Sequence, residues 1–208
     1  MPLKIGVLVS GRGSNMLEII RAIERKTIRG AKVAVVVSDK REAKALALAE
    51  RHGIEAVWLD PEEAPSRLAY DVRLLDVLKD HGVTPREGLV LLAGFMRLLS
   101  PEFVEAYRGR IMNVHPSLLP SFPGLRAQQQ ALEYGAKVSG CTVHFVVPEV
   151  DSGPIILQRA VTVEDGDTPA SLSARILRQE HLVYPLAVKL FAEGRLKIEG
   201  RRVLIRRK

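Results

Sequence analysis

Apolar residues in this chain come as short β-branched runs, separated by stretches in which they recur every three to four positions. Residues 3–9 form the first run and end at Ser10-Gly11-Arg12-Gly13, which reads as a buried strand entering a tight turn. From 14 to about 26, Met16, Leu17, Ile20 and Ile23 keep helical spacing, with Ser14 or Asn15 available as a cap. Residues 33–37 predict a second strand, and 41–52 an alanine- and leucine-rich helix stopped by Gly53. A strand over 54–59, a charged helix over 64–81 and a buried strand over 88–93 complete the first half.

Such alternation predicts a parallel sheet with helices on both faces. Beyond residue 93 the pattern changes. Strand candidates at 110–114, 139–147 and 155–163 are joined by loops and one clear helix near 128–134. A long helix over 169–193 follows, because Leu172, Ile176, Leu177, His181 and Val188 share its spacing. Residues 196–205 read as a terminal hairpin turning around Glu199-Gly200-Arg201-Arg202. The expected class is therefore α/β: a Rossmann-like N-terminal half with parallel strands, continuing into a mixed sheet, then a C-terminal helix and short hairpin. One domain over 1–208 accommodates it, with no repeats and no low-complexity linker.

Composition narrows the classes. Hydrophobic content of 47% with 26% charged residues is ordinary for a globular protein. No apolar run is long enough to span a bilayer, and a single cysteine, Cys141, excludes a disulfide framework and a clustered cysteine zinc site. A cytoplasmic setting without membrane association is the expectation. The net charge of +7 is concentrated at one end: residues 189–208 hold eight cations against Glu193 and Glu199. With no zinc-finger spacing, RNP-like motif or basic helix interleaved with aromatics, that tail reads as a solvated end, and no nucleic-acid partner is expected.

Chemistry concentrates in three places. Ser10-Gly11-Arg12-Gly13-Ser14-Asn15 joins the first strand to the first helix, where glycines let backbone approach an anion and the helix N-terminus offers free N–H groups. It lacks the lysine of a Walker A loop, and Met16 stands where the dinucleotide fingerprint needs glycine, so a phosphate is the better expectation. Asn113 and His115 are two apart and share a face of an extended strand, which Pro116 ends. An amide can donate to a developing oxyanion and an imidazole can move a proton near neutral pH. Asp151-Ser152-Gly153-Pro154 is good turn chemistry, and becomes functional if Asp151 reaches His115. Gly94-Phe95-Met96-Arg97-Leu98-Leu99 follows a buried strand at the carboxyl end where open sheets bind ligands; alternatively it tucks Phe95 and Leu98 into the core. His144 reads as a satisfied structural histidine, and Arg178-Gln179-Glu180-His181 as an exposed polar turn. No histidine pair has metal-ligand spacing on one helix, so no metal is expected.

Taken together these residues resemble the phosphoribosylglycinamide formyltransferase (glycinamide ribonucleotide transformylase) family over nearly the whole chain. The carriers are the Ser10–Asn15 loop, Leu92-Ala93-Gly94-Phe95-Met96-Arg97, Asn113-Val114-His115-Pro116-Ser117-Leu118-Leu119-Pro120 and Asp151-Ser152-Gly153-Pro154-Ile155-Ile156. The Asn-x-His-Pro run is shared with methionyl-tRNA formyltransferase and formyltetrahydrofolate hydrolase, and the Ser-Gly-x-Gly-Ser-Asn loop narrows the choice. The resemblance implies the formyltransferase fold, with residues 1–100 as the nucleotide- and phosphate-binding half and 101–208 as the catalytic and folate-binding half. It implies 10-formyltetrahydrofolate as co-substrate, glycinamide ribonucleotide as acceptor, and a monomer or homodimer. His115 would handle protons, Asn113 would stabilise the oxyanion, and Asp151 would raise the pKa of His115 and order a water. Gly13, Ser14 and Asn15 would cradle the phosphate, with Glu180 on the ribose. Arg67, Met96, Arg97, Leu98, Leu99, Val104, Val147, Pro148, Glu149 and Val150 match folate-contacting positions, and Thr142 one near a catalytic water. Leu177 and the segment 124–130 depart from the family pattern.

Overall fold

The computed structural model describes residues 1–207. Its first half follows the predicted alternation: β1 (Leu3–Val9), α1 (Ser14–Glu24), β2 (Ala31–Ser38), α2 (Lys44–Arg51), β3 (Glu55–Trp58), α3 (Arg67–Asp80) and β4 (Leu89–Leu92). The second half contains α4 (Pro101–Ala106), β5 (Ile111–His115), α5 (Ala127–Tyr134), β6 (Val138–Phe145), β7 (Ile155–Thr162), α6 (Pro169–Ala192), β8 (Leu196–Glu199) and β9 (Arg202–Ile205). All nine strands join one sheet in the order β3-β2-β1-β4-β5-β6-β7-β9-β8. The first five are parallel, β6 runs antiparallel to both β5 and β7, and β9 lies parallel to β7. This is the mixed α/β arrangement the sequence predicts.

Side chains alternate across the central strands, so each strand feeds two cores. Val7, Val9, Val36, Leu91 and Met112 pack with α1, α2 and α6 on one face. Leu8, Val35, Val37, Val90 and Ile111 pack with α3 and α4 on the other. The parallel strands are therefore apolar nearly throughout, as strands buried on both sides must be.

Three local features differ from expectation. Helix α4 has no counterpart among the elements expected from the sequence, since six residues are too few to show a period. Its start is nonetheless encoded: the Ser100 hydroxyl accepts from the Phe103 N–H and Pro101 takes the first turn. Helix α3 begins at Arg67 rather than 64, where Ser66 accepts from the Ala69 N–H. At α1 the N-cap position is Gly13, in the left-handed region, with no side-chain cap; neither Ser14 nor Asn15 caps. Without a capping oxygen, the first N–H groups of α1 are left for another acceptor.

Helix α6 ties the sheet to the site. It is opened by a Thr168–Ser171 capping box, and its Tyr184 hydroxyl meets the carbonyls of Leu92 (3.1 Å), at the carboxyl end of β4, and Met112 (2.9 Å), early in β5. Those contacts set the axial position of Glu180, one turn earlier.

Candidate active site

Strand β5 delivers Asn113 and His115 to one face, as their spacing predicts, and its antiparallel register with β6 sets their partners. Asn113 stands opposite His144 and His115 opposite Thr142. Directly opposed residues bring their side chains within reach. The Asn113 Nδ2 lies 3.3 Å from His144 Nε2, while His144 Nδ1 is 2.9 Å from the Phe145 carbonyl oxygen. Because a carbonyl only accepts, Nδ1 carries the proton and Nε2 is left to accept from the Asn113 amide. Burial pushes the His144 pKa down, partly offset by the Phe145 bond and the Asp151 carboxylate. His144 is thus neutral and fixes the rotamer of Asn113, a role that an isolated structural histidine would not have.

Asp151 closes the group from the loop after β6. Its Oδ2 lies 3.3 Å from His115 Nδ1 and accepts from the Gly124 N–H at 2.7 Å; its Oδ1 is 3.7 Å from His144 Nε2. The carboxylate is only 10% exposed. The other ring nitrogen of His115 donates to the Phe122 carbonyl at 2.9 Å. A fold-back of the loop makes this approach feasible: Asp151 sits at φ 49, and a Cβ on Gly153 would run into the Phe145 carbonyl. The Phe145 N–H then donates to the Pro154 carbonyl. Asp, tolerant of left-handed backbone, and Gly are the residue types this turn requires.

Thr142 lies across the strand pair from His115. Its hydroxyl donates to the Ser117 carbonyl (2.7 Å) and accepts from the Leu119 N–H (3.0 Å) and Gln158 Nε2 (2.9 Å). One donor and two lone pairs are then in use, so this hydroxyl braces the 117–119 loop.

A cavity of about 220 Å³ opens beside the α1 N-terminus. Arg12, Gly13, Ser14 and Asn15 form one wall; Ser173, Leu177 and Glu180, on one face of α6, form another. Val114 and Pro116, the neighbours of His115, reach it from β5. Glu180, read from the sequence as an exposed turn, is instead buried, and its Oε2 accepts from Asn15 Nδ2 at 2.7 Å. Burial pushes the Glu180 pKa up, opposed by the Asn15 bond. The Asn15 Oδ1 is buried with no partner, an acceptor that a ligand hydroxyl or N–H would satisfy. At Gly13 a Cβ would stand 2.7 Å from the Ala45 Cβ, so the loop must be glycine to pack on α2.

The segment after β4 is different in kind. Met96 and Leu98 are 64% and 58% exposed, which overturns the alternative that Leu98 enters the core; Phe95 and Leu99 pack against it. The Arg97 guanidinium lies 4.7 Å above the Tyr70 ring. Val147 is half-buried, Pro148, Glu149 and Val150 are exposed, and Arg67 is exposed at the start of α3. Val104, at 4% exposure, packs in the core with Phe103 and Tyr107.

Cys141 is buried, and burial pushes its thiol up to about 12, which removes it as a nucleophile. Among the described residues no group of three or more His, Cys, Asp or Glu could hold a metal ion, and no helix is long and apolar enough to cross a membrane.

The chain is similar in sequence and fold to known proteins. Residues 3–188 match the formyl transferase family. The chain is 45% identical over 196 residues to phosphoribosylglycinamide formyltransferase of Escherichia coli (strain K12), covering 94% of this chain and 90% of that protein. It is 43% identical over 195 residues to the trifunctional purine biosynthetic protein adenosine-3 of Homo sapiens, of which it spans 19%. The solved structure of glycinamide ribonucleotide transformylase 1 from Symbiobacterium toebii superposes with a TM-score of 0.94 at 53% identity, over 98% of this chain and 94% of that one.

Proposed function

This chain belongs to the formyl transferase family, and from that premise we propose that it moves the formyl group of 10-formyltetrahydrofolate to the amino group of glycinamide ribonucleotide. The products are N-formylglycinamide ribonucleotide and tetrahydrofolate, a step of purine biosynthesis. The observation that carries the site assignment is the 3.3 Å approach of Asp151 to His115 beside Asn113.

The ribonucleotide phosphate takes the uncapped N–H groups of α1 at Gly13, Ser14 and Asn15, and its ribose meets Glu180. The folate rests on Met96–Leu99 and the 147–150 loop, with Arg67 at the rim. The amine attacks the formyl carbon, forming a C–N bond and a tetrahedral oxyanion. Asn113, its amide oriented by His144, donates to that oxygen. Collapse breaks the bond from the formyl carbon to the folate nitrogen, and the proton shed by the amine ends on that nitrogen. His115 carries it, with Asp151 holding Nδ1 while Nε2 exchanges the Phe122 carbonyl for the substrate. No covalent enzyme intermediate is needed. Residues 1–100 act as the phosphate-binding half and 101–208 as the catalytic and folate-binding half, in the cytoplasm and on small molecules alone.

Purified protein given 10-formyltetrahydrofolate should formylate glycinamide ribonucleotide and neither release free formate nor modify an initiator tRNA offered in competition. His115→Ala and Asn113→Ala should each lower kcat by about 10³-fold while tetrahydrofolate still binds. Formate release or tRNA formylation as the main outcome would overturn the reading.

A further inference from the structure

The two substrate-binding segments leave the sheet from paired neighbours, β1 and β4, and one side chain joins them. Ser10, the residue after β1, is buried, with 8% exposure. Its hydroxyl donates to Asp39 Oδ1 at 2.6 Å and accepts from the Met96 N–H at 2.9 Å. Its own N–H donates to the Gly94 carbonyl at 3.2 Å. The serine that opens the phosphate loop therefore holds the folate-facing turn at two points, the Gly94 carbonyl and the Met96 N–H. Asp39, just past β2, polarises the hydroxyl, and a donor bound to a carboxylate becomes a stronger acceptor. The next residue of the strip, Arg97, is held separately by its stacking on Tyr70.

We infer that Ser10 is a positioning residue for the folate: through Met96 it holds the 94–97 turn in the conformation that the folate binds. The inference rests on the functional reading above. The turn begins at Gly94, exposed and in the left-handed region, and its Cβ position has nothing within 4 Å, so packing at that end does not restrain it. Without the serine oxygen the Met96 N–H loses its acceptor, and the turn is left to the packing of Phe95, the Arg97 stack and the backbone bond at Gly94. Ser10 touches neither reacting group, so the chemical step itself should be spared.

Steady-state kinetics of Ser10→Ala should show the KM for 10-formyltetrahydrofolate raised about 10-fold, with kcat and the KM for glycinamide ribonucleotide each changed less than about 3-fold. Ser10→Thr, which keeps the hydroxyl, should recover most of the loss, a rescue that a purely structural role would not single out. Calorimetric binding of tetrahydrofolate to the wild type and Ser10→Ala gives a readout free of turnover. Should Ser10→Ala fail to fold, Asp39→Asn, at a half-buried position, should raise the same KM about 3-fold. Unchanged folate affinity in these variants, or a fall in kcat at constant KM, would overturn the inference. A wild type that binds tetrahydrofolate yet transfers no formyl group would instead sink the functional reading and leave the calorimetric comparison to decide this one.

Discussion

Around the α1 N-terminus the polar groups are inside: Asn15 and Glu180 are bonded to each other and shielded from water before any ligand arrives. After β4 the apolar groups are outside, where Met96 and Leu98 stand more than half exposed on a turn. The first region has already lost the hydration of a carboxylate and regains it only through a ligand that supplies partners. The second gains when a flat apolar ligand removes side-chain surface from water. One region trades stability for recognition; the other stores recognition at no cost to the fold. Asp151, His115 and Asn113 lie where the two meet.

Three measurements would break or sharpen this contrast. The largest effect is expected at the junction. Asp151→Asn keeps the shape but removes the charge facing His115, and kcat should fall by roughly 10²–10³-fold with both KM values within about 3-fold. A large change in one KM alone would assign Asp151 to one region instead of to the chemistry.

Glu180→Gln comes next. The KM for glycinamide ribonucleotide should rise about 10-fold with the folate KM unchanged. The unliganded protein should gain on the order of 1 kcal/mol at neutral pH. The sign follows from burial: the folded pKa is raised above the ordinary 4.5, so the penalty builds as pH rises from 4.5 and is full above the raised value. As pH falls through the raised value to 4.5 the wild type recovers, and the stability difference between the two proteins should vanish. Thermal melts across pH 4–8 check this; a variant less stable at neutral pH would show the carboxylate to be a net support of the fold.

The smallest effect belongs to the folate strip. Met96→Ala with Leu98→Ala should raise the folate KM about 3- to 10-fold and leave stability within about 0.5 kcal/mol, because the lost area is already wet. A marked drop in Tm would mean that these side chains serve the core after all.

Much of this was readable from local pattern. The same-face placement of Asn113 and His115 depends only on the two-residue period of a strand, and the phosphate loop depends on glycines at a strand-to-helix junction. Helix α4 escaped because its single turn shows no periodicity, although Ser100-Pro101 marks its start. His144 was legible as a buried histidine but not as the partner of Asn113, since that pairing is decided by the β5–β6 register. The bonds of Thr142 and the burial of Val104 were hidden for a related reason: the neighbours that bond a hydroxyl or cover a valine come from elsewhere in the chain.

The order of strands and helices, the apolar parallel half and the residue types able to do acyl transfer are properties of the sequence itself, since they follow from periodicity and from functional groups on neighbouring residues. Which of those groups meet was decided by the tertiary structure. Asn15 finds Glu180 across 165 residues, and Asp151 finds His115 only because Gly153 lets a loop fold back on β6. Such contacts are weak one at a time, and the chain entropy they cost is met by burial of the whole sheet between its two helical layers, so no local segment could have specified them.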